Sequence, residues 1–298
     1  MADLPRKPRS RWLERLPGGY GALLPSALAG AGPLDLRIVG RVVFHAAVVG
    51  VAAGLMGAAF FAALEFTQML LLERLTGYQP LRAQGEIFGR GVVETSAFRP
   101  WLLMILPALG GLGCGFIVRY SREARGGGGD ATIEAFHHRG GVIRRRVIWV
   151  KALASLFSLG SGGAGGREGP TMLIGGALGS LIARVLRVNS RERRILLVAG
   201  VAAGISAVFR TPLGAALLAV EVLYKDGFES DALVPSVLAS VVSYSVVISI
   251  FGQTTLFGHV GHYPLTLTHL PLYALLALVV SLFGAMFVKT LQTSRRIF

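Results

Sequence analysis

The string Gly166-Arg167-Glu168-Gly169-Pro170 sets a carboxylate and a guanidinium between two apolar runs. Its glycines let a ligand approach the backbone closely, and proline suits the first turn of a helix, where its missing donor costs nothing. A helix starting there offers free N–H groups and about half a positive charge, which together attract anions. A carboxylate resting on such donors occupies the anion's place when ionised and vacates it when protonated or displaced. Gly126–Asp130 and Arg210–Pro212 are breaks of the same kind. The plain alternative is a loop at a membrane surface, with Arg167 and Glu168 merely solvated.

Other chemistries find little to rest on. Gly160, Gly162 and Gly165 form a GxGxxG match, but no strand-helix-strand alternation surrounds it. Neither a Walker A sequence nor a GxSxG elbow occurs, and the six histidines lack HExxH spacing. His137 and His138 read as exposed loop residues. Cys114 is the only cysteine, so there is no intrachain disulfide and no cysteine-based metal site. Without a nucleophile–base pair or a ligand set, neither an enzyme nor a bound cofactor is expected.

The elements that position these residues belong in a membrane. Of 298 residues, 53% are hydrophobic and 15% charged, and the mean hydropathy is +0.60. Such a composition excludes disorder and leaves too few charges to cover a soluble enzyme. The formal net charge of +14 suggests nucleic-acid binding only until its placement is considered. Arg6, Lys7, Arg9, Arg11 and Arg15 precede the first long apolar stretch, and Arg119 to Arg146 fall between two others. By the positive-inside rule this places the N-terminus in the cytoplasm of a multi-pass cell-membrane protein that binds no nucleic acid.

Residues 1–36 read as a basic cytoplasmic arm with one amphipathic helix, not a secretory signal. Residues 42–72 read as one long tilted helix in which Gly50 and Gly54 invite close packing. Glu65 inside it is expected to snorkel or to bond within the bundle. Residues 75–98 read as a surface loop. Apolar runs follow at 101–118, 147–159, 171–186, 195–209, 213–224, 231–251 and 270–288. Several hold fewer than the roughly 20 residues a span needs, so they are expected to be half-membrane helices that end inside protein or at an aqueous cavity.

GSGGAGGREGPTMLIGGALG at 160–179 resembles the GxxGREGP signature of the CLC family of chloride channels and chloride/proton exchangers. AAGISAVFRTPLGAALLAVEVL at 202–223 is similar to the family's next conserved stretch, and GGGGDATIEA at 126–135 falls at its GSGIPE motif. The similarity runs through residues 40–290. It implies an all-α polytopic membrane protein of tilted, broken helices, with 37–298 as the first of two inverted repeats. A second half, with a tyrosine and a GxFxP motif absent from this sequence, would complete the anion site.

Carried onto this chain, the resemblance makes Glu168 the gating glutamate and chloride the transported substrate. It assigns backbone anion donors to Gly126, Gly127, Gly128 and Gly129, and to Gly166 and Gly169, with Arg167 and Lys151 attracting anions electrostatically. A homodimer with one pathway per subunit is implied. Two positions depart from the pattern. Gly127 stands where the family usually has a chloride-coordinating serine, with Asp130 where a proline follows, so backbone donors or a water would hold the anion. Val222 stands where exchangers commonly carry a second, cytoplasm-facing glutamate, with Glu221 just before it. Valine carries no proton, so passive conduction is expected, with Glu221 as the candidate for a proton pathway should exchange occur. A non-conducting scaffold is the rival from another class.

Overall fold

The computed structural model describes residues 33–78, 97–224, 230–252 and 266–297, and all its regular structure there is helical. In chain order the helices are α1 (Pro33–Gln68), extended by a π-helical turn (Met69–Leu75), α2 (Pro100–Val118), α3 (Gly129–His138), α4 (Arg146–Gly160), α5 (Glu168–Val185), α6 (Ser190–Phe209), α7 (Pro212–Leu223), α8 (Ser230–Phe251) and α9 (Leu270–Ile297). The first compact unit carries α1–α8 and the second carries α9.

Helix length separates spanning from broken elements. At 1.5 Å per residue, the 36 residues of α1 reach about 54 Å, enough to cross a bilayer at a steep tilt. Together with the stretches Pro100–Val118, Asp231–Phe251 and Leu267–Ser294, it is long and apolar enough to span. By contrast α3, α4 and α7 have 10, 15 and 12 residues, about 15 to 22 Å and short of the roughly 30 Å hydrocarbon core. Of these, α4 and α7 fall on the short apolar runs read at 147–159 and 213–224, whereas α3 was not among those runs. The runs at 171–186 and 195–209 form longer helices than expected, because polar Glu168–Gly169 and Ser190–Arg194 supply their first turns. The first 32 residues of the basic arm and most of the 75–98 loop lie outside the described residues, and positions 33–36 already belong to α1.

Close helix packing uses the glycines. A β-carbon on Gly50 would come within 2.6 Å of the Ala239 carbonyl oxygen, and one on Gly54 within 3.0 Å of that of Ser243, which locks α1 against α8. Between α5 and α6, Gly175 and Gly200 face each other's carbonyls, and Gly204 meets that of Thr171. Small residues allow backbones to approach this closely, the usual basis of helix association where lipid removes the hydrophobic incentive.

Breaks occur where the sequence placed them. Arg210 ends α6 in the left-handed conformation, at φ 56°, a position usually given to glycine. Its charge interacts with Glu65, whose side chain is fully buried. Glu65 therefore bonds within the bundle and does not snorkel. His137 and His138 are exposed, but in the last turn of α3 and not in a loop.

One end of the bundle is basic. There Arg139 pairs with Glu123 at 2.7 Å, Arg184 donates to the Ile143 carbonyl at 2.8 Å, and Arg191 pairs with Asp231. A buried cluster that sequence reading missed lies at the same end. Glu192 accepts from Arg41 at 3.0 Å and pairs with His45 Nδ1 at 2.8 Å, while its backbone N–H caps on Asn189. It ties the start of α6 to α1.

Candidate anion site and gate

The site is assembled from helix starts. Gly126 at φ 65° and Gly128 at φ 113° adopt backbone conformations that side chains rarely tolerate, and they turn the chain sharply into α3. Each start is braced by a threonine one turn along. The buried Thr132 hydroxyl donates to the Gly128 carbonyl at 2.9 Å, and that of Thr171 reaches the Arg167 and Glu168 carbonyls, each at 2.9 Å. The starts of α3 and α5 then meet backbone to backbone. A β-carbon on Gly128 would lie 2.5 Å from the Gly169 carbonyl oxygen, and one on Gly169 would collide with that of Gly127.

Beside this junction is a cavity of about 600 Å³, lined by Gly126, Gly127, Gly166, Glu168, Gly169 and Lys151 among others. The N-terminal ends of both helices border it, so two sets of partial positive charge share one space. Gly128 and Gly129 do not line it; they set the turn and open α3. Of the three breaks, these two converge. The third, Arg210–Pro212, contributes Thr211 to a second cavity of about 810 Å³, which Phe61, Arg167, Phe209 and Glu221 also line.

Glu168 borders both cavities. Its carboxylate folds back against Gly166, where any side chain would collide with it. A group in that position covers the loop between the two spaces and uncovers it by a rotation about its own side-chain bonds.

The cations hold the loops more than they face the cavity. Lys151 is buried, and its ammonium donates to the Gly126 carbonyl at 2.6 Å with a second, longer contact to Ala124 O at 3.5 Å. Its expected electrostatic role is thus joined by a positioning one, since capping those oxygens keeps them from presenting negative ends to an anion. Arg167 leans toward α1, with its guanidinium 3.4 Å from Gln68 Oε1 and 5.3 Å from the centre of the Phe61 ring. Asp130 is exposed in the first turn of α3.

Replacing Lys151 by Met should therefore destabilise the folded protein by about 1–3 kcal/mol, because the Gly126 and Ala124 carbonyls lose their donor. Thermal unfolding in detergent, followed by circular dichroism, measures it.

Known proteins give the family of the chain. The profile of the voltage gated chloride channel family matches residues 110–298, well over half of the chain. This chain belongs to that family, the CLC proteins. The H(+)/Cl(-) exchange transporter ClcA of Salmonella schwarzengrund is 33% identical over 250 residues, which cover 83% of the CLC chain described here and 50% of the relative. The ClcA of Salmonella typhimurium matches equally. In fold, the chain is similar to a slow cyanobacterial Cl-/H+ antiporter, with a TM-score of 0.67 and 21% identity over 83% of this chain and 55% of that one. It is also similar to a CLC-type fluoride/proton antiporter, with a TM-score of 0.68 and 21% identity over 90% and 60% of the two chains. The chain spans about half the length of the curated relatives it matches.

The serine-rich face of α4 escaped the sequence reading. Ser155 and Ser158 line the first cavity with Lys151. The spacing i, i+4, i+7 from Lys151 was the signal available.

Proposed function

We propose that the intact protein moves chloride or a similar monovalent anion across a membrane in exchange for protons, with Glu168 as the gate. The observation that carries this reading is that one carboxylate borders both cavities, the first edged by two helix starts and the second lined by Glu221. An anion in the first cavity is held by backbone N–H groups and helix dipoles, competing there with ionised Glu168. A proton reaching Glu168 neutralises the carboxylate and frees the place. Glu221, in the second cavity, is the residue from which that proton arrives.

Exchange is preferred to passive conduction. The relatives named above are described as exchangers or antiporters, and none of those names describes a channel. Val222 is the one observation favouring a channel, and the carboxylate beside it already faces the cavity that Glu168 shares. The same proposal places the basic end of the bundle, and with it the N-terminus, on the cytoplasmic side of the cell membrane. It includes a homodimer, carried from family resemblance alone.

The decisive measurement is proton movement driven by a chloride gradient into liposomes holding the intact protein, read with a trapped pH dye. Sustained uphill proton movement supports exchange; anion flux without it leaves a channel, and no flux from folded protein leaves a scaffold. Glu221→Gln should slow proton uptake several-fold while anion flux persists. Equal loss of both would place Glu221 in the anion path instead.

A further inference from the structure

The cavity contains a hydroxyl that neither the motifs nor the comparisons assign. Ser155 sits one turn after Lys151 on α4, and Ser158 follows on the same face, so three polar residues of this helix line the cavity that Gly126 and Gly127 also line. Ser155 is 5% exposed. Helical serines and threonines in this protein commonly bond back to the carbonyl four residues earlier, as Thr67 does to Ala63, Ser245 to Val241 and Ser249 to Ser245. The Ser155 hydroxyl makes no hydrogen bond among the described residues, and it lines the cavity. A hydroxyl left open to a cavity by a largely buried residue is free to serve a ligand or an ordered water.

Across the cavity, Gly127 has open space where a side chain would begin, and its backbone is not in the left-handed region. A hydroxyl would fit there, yet none is present. We propose that Ser155 is an anion ligand of this cavity, and that its hydroxyl supplies from α4 the donor that the α3 loop lacks at Gly127. The proposal rests on the anion-transport reading above. Its ligand class is a small monovalent anion such as chloride, held by one O–H and the backbone N–H groups of two helix starts.

Chloride binding to the intact protein in detergent, measured by titration calorimetry, tests this beside chloride flux in liposomes. Ser155→Ala keeps α4 helical, since alanine is the strongest helix former, and removes only the hydroxyl. Binding should weaken about tenfold or more, the worth of one hydrogen bond to a charged partner. Adding Gly127→Ser to that variant should recover most of the loss. Unchanged binding by Ser155→Ala, in a protein whose wild type transports chloride, overturns this inference and leaves the function standing. A loss that Gly127→Ser does not recover refutes the exchange of one hydroxyl for the other. If the wild type neither binds nor transports chloride, both readings fall together.

Discussion

In the Glu168→Gln variant, chloride should cross the membrane at a rate that ignores pH, and a chloride gradient should drive no protons. The carboxylate of Glu168 rests against Gly166 and borders both cavities, so it is at once the plug of the anion path and the proton acceptor between them. Ionised, it competes with an anion for the donors at the two helix starts; protonated, it gives up that competition. Wild-type flux should therefore rise as pH falls, because protonation removes the competing charge. Glutamine is close in shape to the protonated acid and neutral at every pH. Flux in the variant should sit at or above the wild-type level at acid pH and stay flat from there. Anion flux and trapped-dye proton uptake on the same liposomes separate the two roles. A variant that keeps the wild-type pH response would remove Glu168 from the gate.

Much of the site was legible in the sequence because its parts are local. Glycines at 126–129 and 165–166, and prolines at 170 and 212, announce where helices must stop and start whatever surrounds them. All three announced starts exist in the structure. What local rules could not give was convergence. Nothing in the spacing says that the starts of α3 and α5 touch while that of α7 opens on another cavity; that depends on α4 and α6 packing between distant segments. Lys151 shows the same limit. Its charge near a glycine loop was visible, but its bond to the Gly126 carbonyl required the fold. His45 and Glu192, 147 residues apart, form their pair only because α1 lies along α6. Ser155 was overlooked for a different reason: a serine in an apolar helix ordinarily bonds to its own backbone, so its spacing from Lys151 is a weak signal.

The convergence itself can be tested with a single methyl group. On Gly169, a β-carbon would collide with the Gly127 carbonyl oxygen and lie 2.8 Å from the carbon that bears it. Both contacts are backbone, so no side chain can turn aside to make room. Alanine improves helix propensity by about 1 kcal/mol over glycine, whereas overpacking costs about 1–3 kcal/mol; the net loss of stability is at most about 2 kcal/mol. The helix starts must nevertheless separate by a fraction of an ångström to an ångström to admit the methyl. Sites that depend on positioned donors lose about 100-fold for misplacement on that scale. Gly169→Ala should therefore still fold, melting a few degrees below the wild type, while anion flux falls by about that factor. Gly129→Ala is the control, because a β-carbon there meets nothing within 4 Å, and its flux should stay within a few-fold of the wild type. Equal flux from both variants would mean that the junction of α3 and α5 does not hold the anion, and the donors would then have to be sought along the second cavity, around Thr211 and Glu221.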